Sequence, residues 1–148
     1  MISIETNLLF HAYNVDSPLH QKAYDWILSI SGDENVVLSE FILAELYCLV
    51  RNPIVAKNGA LSPGDAVALI ESCRRHPRWM LAGFSANGRH VHDSLRNHAR
   101  KPEFTFRKRY DVRTALILRE HGVTDFATIN LKDFEGLGFR RVWNPVVE

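Results

Sequence analysis

Apolar positions along the chain fall into two kinds of segment. Some are short continuous runs, and others are longer stretches recurring at helical spacing, the alternation expected of strands interleaved with helices. Met1 to Ile4 reads as an opening strand, followed by the apolar-rich segment Asn7 to Tyr13. From about Pro18 to Ser31 the residues Ala23, Trp26, Ile27 and Ile30 recur on one helical face, with Ser17-Pro18 as cap and first turn. Val36-Val37-Leu38 has the brevity of a buried strand, and Ser39 then caps a helix reaching about Val50 that Asn52-Pro53 stops. The segment from there to Leu61 is expected to be a loop. Ser62-Pro63 opens another helix carrying Ala66, Val67, Leu69, Ile70 and Cys73, ended by Pro77. Trp79 to Phe84 reads as a strand, Asn87 to Arg100 as a polar helix and Asp111 to His121 as an amphipathic helix. Phe126 to Ile129 and Arg141 to Trp143 complete the set as strands. This order predicts an α/β sheet protein.

Composition narrows the class. A chain of 148 residues suits one domain able to bury roughly 70% of its unfolded surface. An apolar share of 46% and a charged share of 24% exclude a disordered polymer. No internal repeat or low-complexity segment interrupts the pattern. Cys48 and Cys73 lie in helix-like apolar stretches without C-x-x-C spacing, so they read as buried free thiols suited to a reducing compartment. Glu5 and Asn7 precede any sustained apolar run, and no window approaches the eighteen or so residues of a membrane span. A cytoplasmic protein with no membrane partner is therefore expected. The net charge of +1 names no partner, but it is unevenly spread. From Arg96 to Arg113 seven Lys or Arg face two acids, a local balance of +5, which suits either contact with phosphates or a solvated helix face with a basic loop.

Three carboxylates stand where acids are not ordinarily found. The helical neighbours of Glu45 at −4, −3, +3 and +4 are Phe41, Ile42, Cys48 and Leu49, so its side chain is expected in the core-facing stripe. Burying a glutamate requires a partner or a metal, because desolvating the ion costs several kcal/mol. Glu40 needs no such explanation, since an acid in a helix's first turn favours the macrodipole. Asp111 precedes Ala115 and Leu118 on the apolar stripe of its helix, although its first-turn position also suits the dipole. Glu5 follows an apolar strand, at the edge where parallel sheets present reactive groups. Converging acids repel and raise one another's pKa, so a cluster of this kind calls for a cation. Oxygen-only ligands favour Mg²⁺ or Mn²⁺, and the natural chemistry is phosphoryl transfer to water. His90, His92, Asp93 and His98 fall on a polar segment with Arg96 and Arg100 and read as a solvated helix face, not a zinc site.

These residues form a familiar series. Ile4-Glu5-Thr6-Asn7-Leu8-Leu9 resembles the strand-end opening of PIN-domain nucleases. Leu38-Ser39-Glu40 with Ala44-Glu45-Leu46 resembles the second motif of that family, and Tyr110-Asp111 with Ala115-Leu116 the third. Ala127 to Phe134 resembles the fourth motif, and Trp143-Asn144-Pro145 the usual ending. The likeness runs in order over nearly the whole chain and is strongest to VapC-type toxins. It implies a three-layer α/β/α fold with a mainly parallel sheet and Mg²⁺- or Mn²⁺-dependent cleavage of RNA. It also implies a homodimer and a small antitoxin as partner. On this resemblance Glu5 and Asp111 are the principal metal ligands and Glu45 the remaining acid, which orients water. Asn130 stands where the family often has Asp, with Asp133 nearby as its substitute. Thr6, Asn7 and Thr128 support the site, and Arg107, Lys108, Arg109 and Arg113 meet the RNA. The family uses Asp where this chain has Glu5. The extra methylene implies reduced activity with Mg²⁺, restored at least about tenfold by Glu5→Asp. The alternative is a weakened PIN domain that binds RNA or protein without cutting. A phospho-accepting domain is disfavoured because Glu5-Thr6-Asn7 lacks an Asp-x-Asp.

Overall fold

The strands are short and all parallel. The computed structural model describes residues 1–147, with β1 at Ile2–Ile4, β2 at Val37–Ser39, β3 at Met80–Ala82, β4 at Asp125–Ala127 and β5 at Arg141–Trp143. β1 pairs with β4 and β4 with β5, while β2 pairs with β3. A parallel bridge between Ile2 and Val36 joins the two groups, giving the spatial order β3-β2-β1-β4-β5. Successive residues of a strand point to opposite faces. Ser3 and Ile4 are both buried, as are all of Val37–Ser39 and Asp125–Ala127, so both faces of the sheet are covered. The covering helices are α1 (Thr6–Tyr13), α2 (His20–Ser29), α3 (Glu40–Arg51), α4 (Pro53–Ala56), α5 (Pro63–Arg74), α6 (Gly88–Ala99), α7 (Lys108–Glu120) and α8 (Leu131–Phe134). α1 packs on α2 and α3, and α3 on α5; α6 packs on α7, and α7 on α8. The result is the α/β/α architecture, with a core that runs from Ile4 and Leu8 to Phe126 and Val146.

Local chemistry explains several helix starts. Ser39 Oγ accepts from Phe41 N at 3.1 Å, Asn52 Oδ1 from Ile54 N at 2.9 Å, and Ser62 Oγ from Asp65 N at 3.2 Å. Pro53 and Pro63 supply the pre-set φ of a first turn. α7 ends before Gly122, whose φ of +84° is open to glycine. Glu40 pairs with Arg74 of α5 at 2.8 Å in addition to standing in the first turn of α3.

Several expectations change. The segment after Pro53 is not a plain loop: it holds α4 and a 3₁₀ turn at Lys57–Gly59. Ser17-Pro18 does not cap α2. Ser17 Oγ instead accepts from Leu19 N in a separate turn, and the helix starts at His20. α7 begins three residues earlier than Asp111, and Phe84 lies beyond the end of β3. Cys73 is buried, but Cys48 is exposed, because the buried stripe of α3 runs through Ile42, Leu43, Leu46 and Val50 and leaves Ala44, Glu45 and Cys48 facing outward. No helix among the described residues is long and apolar enough to cross a membrane.

Candidate active site

The strand order sets where the acids meet. From β1 the chain moves outward through β2 and β3, then returns to place β4 and β5 on the other side, so the order reverses between β1 and β4. Open α/β sheets bind ligands in the crevice beyond the carboxyl ends of strands at such a point. Glu5 directly follows β1 and Thr128 directly follows β4. Thr128 Oγ1 donates to Glu5 Oε2 at 3.3 Å and Asn7 Nδ2 to Glu5 Oε1 at 2.8 Å, so both oxygens of the carboxylate are held. The Thr128 hydroxyl is itself fixed by Asn130 N, at 2.8 Å.

Three helices bring the other groups. α3 carries Glu45, whose Oε2 accepts from Thr6 Oγ1 at 2.7 Å. The first turn of α7 carries Asp111, and α8 carries Asp133 behind its N-cap Asn130. Glu5, Asn7, Glu45, Asp111, Asn130 and Asp133 line one cavity of about 820 Å³, and Arg107, Lys108 and Arg113 line the same cavity. Arg109 does not line it; its guanidinium lies over the Tyr110 ring, 4.7 Å from the centroid. His90, His92 and Asp93 are exposed on α6, away from this cavity, and Asp93 pairs with Arg96.

Glu45 corrects the sequence reading. It is exposed, not buried in the core stripe, and it shares the cavity wall with Phe41 and Cys48. Its apolar neighbours are real, but two of them line a cleft that opens to water. Periodicity alone does not distinguish a helix face turned to the core from one turned to a cavity.

The buried acid is Glu5, 7% exposed. Burial first, then the charges of Glu45 and Asp111, push its pKa up to about 8 against the opposing hydrogen bonds. Burial, Asp133 and Glu45 push Asp111 up to about 6, with Lys108 acting against them. No three or more His, Cys, Asp or Glu among the described residues are grouped closely enough to hold a metal ion as they stand. The donor set nonetheless suits a hard divalent cation, being oxygen-only, mutually repelling and lodged at a sheet switch point.

A stability prediction follows with a definite sign. The folded chain holds protons on Glu5 and Asp111 that the unfolded chain has released, so stability falls as pH rises from about 4.5 to 8. His11 and His76, whose pKa values burial lowers, work in the opposite direction. Comparison with Glu5→Gln cancels them. In EDTA, wild type should lose on the order of 3 kcal/mol relative to Glu5→Gln between pH 5 and 8.5 in denaturant unfolding. A constant difference across that range would show that Glu5 is not held protonated.

A parallel β3-β2-β1-β4-β5 sheet between helix layers, with acids gathered at its switch point, is the architecture of a PIN-type nuclease. No protein-family model matches the chain. Ribonuclease VapC24 of Mycobacterium tuberculosis, in strains CDC 1551 / Oshkosh and ATCC 25618 / H37Rv, is 38% identical over 146 residues, covering 99% of this chain and 97% of the relative. The chain belongs to the VapC ribonuclease family. Solved structures agree on the fold. Mycobacterium tuberculosis VapC20, a Sarcin-Ricin loop cleaving toxin, aligns with a TM-score of 0.61 at 18% identity over 85% of this chain and 87% of its own. VapBC2 from Rickettsia felis, bound to a DNA fragment from its promoter, aligns with a TM-score of 0.67 at 18% identity over 97% and 98%.

Proposed function

We propose that this protein is the toxin of a toxin–antitoxin pair and acts as an endoribonuclease, with Mg²⁺ or Mn²⁺ held by Glu5 and Asp111 together with Glu45. The observation that carries this reading is the meeting of Glu5, Glu45 and Asp111, from three separate elements, in one cleft where burial and repulsion raise two of their pKa values. A divalent cation bound there supplies Lewis acidity and neutralises charge during phosphodiester hydrolysis. Asn7 and Thr128 fix the Glu5 carboxylate, and Thr6 fixes Glu45. Glu45, the exposed acid, orients the attacking water and receives its proton. Asp133, whose charge acts on Asp111, completes the acidic wall beside Asn130.

Arg107, Lys108 and Arg113, which line the same cleft, draw RNA phosphates toward the acids, with Arg109 beside Tyr110. Neutralising Arg107, Lys108 and Arg109 together should weaken RNA binding and reduce the slope of log affinity against log salt by up to about two. An unchanged slope would return the stretch to a solvated surface. The family assignment and the VapBC2 neighbour support a small antitoxin as partner, and the family resemblance supports a homodimer. The family also supports cytoplasmic location.

Incubating the protein with mixed-sequence RNA and Mn²⁺, against an EDTA control, tests the reading. Cleavage only with Mn²⁺ is expected. RNA binding without cleavage under both conditions would instead favour a weakened PIN domain serving as a binding module.

A further inference from the structure

Phe41 and Tyr110 line the cleft, and Phe84, which is not among its lining residues, stands against Phe41. Phe84, in the turn after β3, is 87% exposed and stands outside the core cluster. Its ring meets that of Phe41 edge-on, at 5.7 Å and 85°. Phe41 lies one helical turn before Glu45 and lines the same cavity. The guanidinium of Arg113 is laid on the Phe41 ring, 3.8 Å from its centroid, and reaches to 5.4 Å from that of Tyr110, a ring 51% exposed beside Asp111. The buried Nε of Arg113 has no hydrogen-bond acceptor among the described residues. Two large rings thus face water while a cation stacked between aromatics keeps an unanswered N–H. Each feature costs free energy in the free protein.

We propose that Phe84, Phe41, Arg113 and Tyr110 form a stacking subsite for an unpaired nucleobase of the RNA substrate. Aromatic rings and guanidinium planes are the surfaces on which splayed-out RNA bases stack. A base still paired and stacked in a helix has no free face to offer. The subsite therefore selects single-stranded or looped RNA and presents the neighbouring phosphodiester to the acids one helical turn away. This rests on the ribonuclease reading of the cleft.

The test uses the full chain, a mixed-sequence single-stranded RNA, and copies of it each abasic at one position, together covering every position and so both flanks of any cut. Phe84 is 87% exposed and outside the core cluster, so Phe84→Ala should fold as wild type does. It should raise KM, and the Kd measured by fluorescence anisotropy in EDTA, by about tenfold with the salt slope unchanged, and Phe84→Trp should restore both. Removing one flanking base should cost wild type a similar factor and cost Phe84→Ala nothing further. The proposal is overturned if Phe84→Ala handles RNA as wild type does, or if the abasic penalty persists in full in that variant. It is also overturned if the variant alters only oligomeric state, which would mark a protein interface. Wild type that binds RNA but does not cut it defeats the ribonuclease reading alone, because anisotropy still reads the stacking; wild type that does neither defeats both.

Discussion

Asp111→Asn is expected to abolish RNA cleavage, lowering the single-turnover rate by at least about 10²- to 10³-fold, the loss typical when one preorganised electrostatic group is removed. Asn keeps the shape and one carbonyl oxygen but removes the charge that burial, Asp133 and Glu45 already disfavour. The same substitution should raise the metal-free thermal midpoint above pH 6, since it deletes an ionised group that the fold holds under repulsion. Lost activity with gained stability is a combination that misfolding would not produce. Cleavage within about threefold of wild type, read in parallel with thermal unfolding, would remove Asp111 from the site.

Glu5→Asp is expected to lower Mg²⁺-dependent cleavage by about tenfold or more, the reverse of what the sequence alone suggests. From the family pattern, an extra methylene looks like a defect that Asp would repair. In the fold both Glu5 oxygens are engaged, one by Asn7 Nδ2 and the other by Thr128 Oγ1, and Thr128 is locked in turn by Asn130 N. Shortening the side chain withdraws the carboxylate by on the order of 1 Å from these donors, and displacement of that size in a positioned site can cost up to about a hundredfold. Mg²⁺, which demands near-ideal octahedral geometry, should feel it more than Mn²⁺. Single-turnover assays of both proteins with each ion decide the matter. A faster Asp variant would mean that the longer side chain is a handicap after all.

The difference between those two expectations shows what the sequence discloses and what it leaves out. Strand and helix order was legible because apolar runs and helical spacing are local, and Ser39 and Ser62-Pro63 announced their helices by cap chemistry alone. α4 was missed because Asn52-Pro53 reads as a stop, and a four-residue helix burying only Ala56 leaves no periodic trace. The first turn of α7 was hidden by Lys108, Arg109 and Tyr110, whose polarity resembles that of a loop. Glu45 was found by a flawed argument: its apolar neighbours marked an unusual place for an acid, but the place is a cleft wall. Phe84 and Tyr110 gave no sign of a role, because their meeting with Phe41 and Arg113 depends on long-range placement of three elements.

The central claim is that these carboxylates hold a divalent cation, and the most direct test is calorimetric titration of the metal-free protein with Mn²⁺ at pH 7 in buffers of different ionisation enthalpy. With Glu5 near pKa 8 and Asp111 near 6, binding should displace about one proton per chain, because metal ligation requires deprotonated carboxylates. That release should disappear in Glu5→Gln. Heats indistinguishable from dilution in every buffer would contradict the account, as would binding whose proton release is the same in wild type and Glu5→Gln.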